Sequence, residues 1–281
     1  MDVRSISVCF HIPWQSPFYR SKPASFLGHL VGHEGPGSIH SYLKGKGWST
    51  GVSAGNSGQG RGFSQFSIQV WLTKEGFGGS SLTSILFILI LCSENQEAVL
   101  LTIFKYLSLL RASPLEKYHH DEISALGEIH FRFTEKERAE SYVSDIACTM
   151  NKPYMREHVL SGGTRVWEWD ESMIRELLDS FKPEKSRVSV LAKEFKDDAG
   201  WQHETWYGTE YRVRKMGETL LKQVGHDIPF FFWWKDSHDM RHMQAQGPND
   251  IPELFLPNPN AFIPTKLDVE KIPVTEVRHD S

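Results

Sequence analysis

The 281 residues are 40% hydrophobic and 23% charged, enough apolar material to bury the core of one large domain or two small ones. Lys and Arg number 31 against 35 Asp and Glu, a net charge of -4, and no long run of one sign occurs, which argues against a nucleic-acid partner. Cys9, Cys92 and Cys148 stand singly, without CxxC spacing or a disulfide framework, and no signal-peptide pattern opens the chain. A reducing intracellular compartment is the expectation.

In chain order, Ser5 to Ile12 alternates, with Ile6, Val8, Phe10 and Ile12 on one face against Ser5, Ser7, Cys9 and His11, and predicts a half-buried strand. Pro23 to His33 is a short helix candidate. A GPG break follows it, Ser38 is placed to cap a second helix, and Gly47 stands where a C′ glycine belongs. From Thr50 to Arg61 the composition of glycine, serine and asparagine predicts a loop, after which Phe66, Ile68, Val70 and Leu72 alternate as a second strand.

The segment Leu82 to Cys92 is apolar but only eleven residues long, short of the roughly 17 to 25 that cross a bilayer as a helix, so a membrane partner is not expected. Leu100, Ile103, Phe104, Leu107 and Leu110 then repeat at three and four and predict an amphipathic helix over 94–111. Asp170 caps another helix carrying Ile174, Leu177, Leu178 and Phe181, ended by Lys182-Pro183, with a strand over Arg187 to Ala192. Beyond about Lys222 no period is stable, and PNDIPELFLPNPNAFIPT has the composition of an extended connector.

Among 13 histidines only His29 with His33 and His238 with His242 stand four apart. Neither pair carries glutamate where HExxH or HxxEH requires it. HDMRH puts aspartate in the glutamate position, in the least helical part of the chain, and a solvated polar turn is the preferred reading there. No third ligand is implied near His29 and His33. Gly28 and Gly32 instead strip side chains from adjacent turns of one helix face, so that another backbone can approach, with His29 and Glu34 as polar neighbours. Two readings stay open: a groove for an extended chain, or glycines that permit tight packing against the sheet.

The stretches YRSKPASFLGHLVGHEGPGSIHSYLKGKGW, RGFSQFSIQVWLTKEG, EAVLLTIFKYLSLLR, EIHFRFTEKER, FKPEKSRVSVLAKEF, ETWYGTEYRV and GPNDIPELFLPNPNAFIPT are collinear and cover most of the chain. Together they resemble the insulin-degrading enzyme (insulinase) family of zinc metallopeptidases, particularly its fungal a-factor-processing members. The resemblance implies an α+β fold, an antiparallel or mixed sheet backed by helices, as in one domain of the inverted zincins. It implies the second, non-catalytic domain over 1–221 and an extended connector over 247–281 toward a third domain. Two stretches depart from the family, an apolar insert at 78–95 and a segment at 222–246. Their composition suits translated intron or a misjoined gene model; the alternative is genuine insertions that dock on the surface or on a membrane.

The resemblance further implies an exosite that anchors the amino terminus of a peptide substrate by strand addition, made of Gly28, His29, Gly32 and Glu34 on a helix and Val52, Ala54 and Asn56 on a strand. Ala54 stands where glycine is usual and would crowd the incoming strand. Family members carry zinc in a domain bearing HxxEH, which these residues lack, so no cofactor and no catalytic residue is expected in this chain. The implied partners are peptide substrates and the rest of a peptidase or a full-length homologue. The implied location is cytoplasmic, with mitochondrial or peroxisomal placement open. The rival readings are a truncated peptide-binding or partner-capping module and an unstable product of a misassembled gene model.

Overall fold

The computed structural model describes residues 3–78, 94–195, 200–216, 251–264 and 266–268. The apolar segment Leu82 to Cys92, the 222–246 segment and the HDMRH histidines lie outside the described residues.

Four strands, β1 (Ser5–Ile12), β2 (Ser49–Gly60), β3 (Phe63–Leu72) and β4 (Ser186–Leu191), form one sheet in the order β2-β3-β1-β4. Every neighbouring pair is antiparallel. The alternation of β1 and β3 sends Ile6, Val8, Phe10, Phe66, Ile68 and Val70 into the core with almost no exposure. Ser5 and Cys9, on the other face of β1, are buried as well, so this strand is central and covered on both faces over much of its length, not half-buried.

The expected loop over Thr50 to Arg61 is a strand. Composition misleads here because β2 is held from outside: it pairs with β3 on one side and packs against a helix on the other. The close helix contact is permitted by the glycines of that helix, Gly28 and Gly32, whereas a Cβ on Gly55 of β2 would meet nothing within 4 Å; glycine in β2 remains a poor strand former in isolation. A bulge between Asn56 and Gly58 takes Ser57 out of the backbone register with β3, while its hydroxyl bonds Ser67 Oγ at 2.5 Å.

Seven helices occur among the described residues: α1 (Pro23–Val31), α2 (Ile39–Gly45), α3 (Lys74–Gly78), α4 (Glu94–Ala112), α5 (Lys117–Arg132), α6 (Ala139–Met150) and α7 (Glu171–Asp179). The expected caps are present. Ser38 Oγ accepts from Ser41 N at 3.0 Å, and Asp170 Oδ1 accepts from Met173 N at 3.0 Å. Gly47 adopts φ 72° as the C′ residue of α2, with its amide donating to Lys44 O.

The two flanks of residues 79–93 meet, since Asn95 Nδ2 donates to Glu75 O and Gln96 Nε2 to Phe77 O. No single described helix is long and apolar enough to cross a membrane.

Residues 251–264 dock on the body. Phe255 N donates to Gly37 O at 3.0 Å, Leu254 is buried, and Tyr118 Oη donates to Pro257 O at 2.7 Å. The Phe255 ring lies where a Cβ on Gly37 would be, at 2.5 Å, and Gly37 has φ 82°, so only glycine fits this turn.

The core is organised on Phe181, fully buried after the end of α7. Its ring stacks on Phe10 at 4.7 Å and on Phe66 at 4.6 Å, joining β1 and β3 to the helix layer. Removing a buried ring costs about 3–5 kcal/mol through lost burial and the cavity left behind. Phe181→Ala is therefore expected to lower the urea-unfolding free energy by an amount in that range; a change under about 1 kcal/mol would show that the stack does not tie the sheet to α7.

Candidate functional site

The helix α1 and the edge strand β2 meet without side chains between them. A Cβ built on Gly28 would sit 3.0 Å from Ala54 O and 3.1 Å from Gly55 Cα; one built on Gly32 would sit 3.2 Å from Ala54 N. The backbone that approaches these two glycines is thus that of β2 itself. N–H and C=O of one strand residue point to the same side, so both polar groups of Ala54 are turned toward α1. Moving from Gly32 to Gly28 along α1 corresponds to moving from Ala54 to Gly55 along β2, and the two elements run in opposite directions.

Beside this contact an open cleft of about 510 Å³ lies between β2, α1 and α5. Gly28, His29, Ala54 and Asn56 line it, which brings four of the seven expected site residues together. Glu34 is exposed beyond the end of α1. Gly32 faces the Ala54 amide. The Val52 side chain is in the core with 5% exposure, so only its main chain is available to a ligand.

The far wall of the cleft was not anticipated. It consists of Ile123, Leu126, Gly127 and His130, all on α5. Their spacing of three and four is a helix signal that was present in the sequence.

A histidine cluster sits behind the cleft. The rings of His29 and His33 lie 6.4 Å apart. His119 is 1% exposed, packs against the Tyr118 ring in a tilted pair with centroids 4.1 Å apart, and has no hydrogen-bond partner on either ring nitrogen among the described residues. Burial, followed by the nearby His29 and His33, pushes His119 down to about 4. Burial also lowers His29 and His33, against the pull of Glu122. All three are neutral at pH 7, so the cluster is a desolvated polar wall and not a cationic one. Among the described residues no three His, Cys, Asp or Glu side chains are placed to hold a metal ion. The described residues do not fit a catalytic zinc.

The burial of His119 implies a pH dependence of stability. An unfolded histidine titrates near 6.5, above the folded value of about 4 for His119. Between those values the unfolded chain binds a proton that the folded chain refuses, so stability is full above about pH 6.5 and falls as pH drops toward 4, by about 1.4 kcal/mol per unit for one such group. His119→Phe is expected to flatten the fall in urea midpoint between pH 7 and pH 5. An unaltered slope would place its origin elsewhere.

Two family models match the chain. One, described as the peptidase M16 inactive domain, covers residues 1–126, and the other, described as the middle or third domain of peptidase M16, covers residues 131–280. Insulin-degrading enzyme of Homo sapiens is 33% identical over 269 residues, which are 95% of this chain and 22% of that protein. A-factor-processing enzyme of Saccharomyces cerevisiae is 28% identical over 271 residues, 96% of this chain and 22% of that protein. The solved structure of pitrilysin matches with a TM-score of 0.69 at 23% identity, over 81% of this chain and 22% of that one. The chain thus spans about a fifth of the length of these relatives, and its antiparallel sheet with helices is that of a pitrilysin-type domain. With both models matching in order and the larger covering more than half of the residues, the chain belongs to the peptidase M16 family.

Proposed function

We propose that this chain is the peptide-anchoring, non-catalytic portion of an M16-type metalloendopeptidase. It holds the amino-terminal part of an extended peptide along β2, and hydrolysis is performed by an HxxEH-bearing region that these 281 residues do not include. The observation that carries the reading is the open cleft on the edge strand, with main-chain polar groups on one side and the exposed Glu34 carboxylate beyond the end of α1. A sheet edge recognises a peptide through its main chain and tolerates varied side chains, as an enzyme that acts on many short peptides requires. Within the cleft, β2 would pair with the peptide backbone near Gly55 and Asn56, α5 would supply the apolar wall, and Glu34 would meet the α-amino group, which is charged at neutral pH.

A second reading is favoured by the exposed surface. Helix α6 buries none of its residues and exposes Tyr142, Val143 and Met150. Trp206, Tyr207 and Phe262 are 87%, 91% and 92% exposed. Apolar groups of this size suit a face that docks against the remainder of a peptidase or a full-length homologue. In that setting the chain acts as a peptide-binding or capping module, and the cleft keeps the same role.

Binding and hydrolysis separate on measurement. The chain alone is expected to cleave no fluorogenic peptide above buffer background; chelator-sensitive turnover would refute the non-catalytic assignment. In fluorescence anisotropy a peptide with a free amino terminus is expected to bind about fivefold more tightly than its acetylated twin, the size of a partly exposed ion pair, and Glu34→Gln should abolish the difference. Equal affinities in the native chain would leave the cleft without an anchoring role.

A further inference from the structure

A second cleft, of about 190 Å³, opens where α1 begins. It shares Ser25 and Asn56 with the first, so the two are continuous along one side of α1. Its polar lining includes Lys22, Lys152, Tyr19 and Tyr154 and no carboxylate. Among the described residues neither lysine has an acidic partner. Lys22 Nζ donates to Gly163 O at 2.7 Å, which uses one of its three protons, and Lys152 Nζ lies 5.7 Å from the centre of the Tyr154 ring.

The backbone at Lys22 is unusual. It has φ 45°, the only positive φ at a non-glycine among the described residues. A left-handed lysine is strained because its Cβ crowds the following carbonyl oxygen, a strain that glycine or asparagine would largely avoid. The conformation is held by Lys22 N donating to Phe18 O at 2.7 Å and by Lys22 O accepting from Phe26 N at 3.0 Å. The turn places a cation in the cleft beside a second cation. Burial, and after it the like charge of Lys152, draws the Lys22 amine down to about 8. An anion between the two would remove that opposition, and α1 starts here with no side-chain cap on its free amides.

We propose that the Lys22–Lys152 cleft is a subsite for an acidic side chain of the anchored peptide. The inference rests on the anchoring reading above and adds a sequence preference to it. Helix α1 is nine residues long, about 13 Å at 1.5 Å per residue. An extended chain covers that distance in about four residues, so a peptide whose amino group meets Glu34 brings its fourth or fifth side chain, by this rough count, to the lysines. The carboxylate accepts from Lys22 Nζ and Lys152 Nζ, while Ser25 and Asn56 mark the passage from one cleft to the other.

The test uses four labelled peptides of one sequence, with Glu or Gln at positions four and five and with a free or acetylated amino terminus, titrated against the native chain, Lys152→Gln and Lys22→Asn. Asparagine tolerates the left-handed backbone, so Lys22→Asn removes the charge and keeps the turn; matching thermal unfolding verifies the fold. The native chain is expected to bind the Glu peptide about fivefold more tightly than the Gln peptide, and each variant to lose most of that preference. Equal binding of Glu and Gln peptides by the native chain, or a preference that survives in both variants, overturns the subsite. If the free amine is still preferred in that case, the anchor stands without the subsite. A Glu preference without a free-amine preference keeps the subsite and removes the anchor, and no binding by any peptide removes both.

Discussion

The contact between Gly28 and Gly32 of α1 and the main chain of Ala54 is the constraint on which the rest of the site depends. Helices usually rest on sheets through interdigitating side chains, with axes about 10 Å from the sheet. Here the two backbones come within the reach of a single Cβ, 3.0 Å at Gly28 and 3.2 Å at Gly32. That approach supports an edge strand with little side-chain mass of its own, STGVSAGNSGQG, in which Val52 alone is a large apolar residue. It also decides what the cleft can read. A wall made of main chain and small residues carries hydrogen-bonding groups and few bulky side chains, so in the proposed function it would select an extended backbone before it selects a sequence.

The wall stays in place because residues far along the chain close the sheet. β4 pairs with β1 on the side opposite β3, and Phe181, just before β4, stacks on both Phe10 and Phe66. The two matching family models meet between residues 126 and 131, inside α5, yet the sheet draws β1 to β3 from one side of that point and β4 from the other. The packed unit therefore crosses the boundary between the models. The 254–257 segment is tied to the same body through Gly37 and Tyr118, which fixes the turn just after Glu34.

Legibility followed how local each signal was. β1, β3, α4 and α7 carry their own period, and their ends fall within a residue or two of expectation except that β3 begins at Phe63, three residues before the first alternating residue Phe66. β2 was hidden because glycine and serine report nothing about a ladder partner or a helix laid against the edge. In composition it is a loop, and only the family resemblance marked Val52, Ala54 and Asn56 as strand residues. On α5 the spacing of Ile123, Leu126, Gly127 and His130 was readable, but His119 and His120 beside it obscured which face was apolar. Lys22 had no signal at all: its left-handed backbone and its place in one cleft with Lys152, far along the sequence, are properties of the folded chain.

The charges along α1 have one consistent sense. A helix carries partial positive charge at its amino end and partial negative charge at its carboxyl end, and each favours the opposite ionic charge nearby. α1 starts at the Lys22–Lys152 cleft and ends just before Glu34, so the side chains reinforce the dipole at both ends instead of offsetting it. Between the ends, His29, His33 and His119 are held neutral by burial and contribute no competing field. A cleft with positive potential at one end and negative at the other would impose a direction on the peptide of the proposed function, because an α-amino group is repelled by lysines and drawn to a carboxylate such as Glu34. Main-chain pairing alone is weakly directional, since a strand edge accepts parallel and antiparallel partners. In the proposed anchoring, the direction of the peptide would thus be set by electrostatics that α1 and its flanking side chains build together, and the two glycines are what allow that helix to lie along the strand.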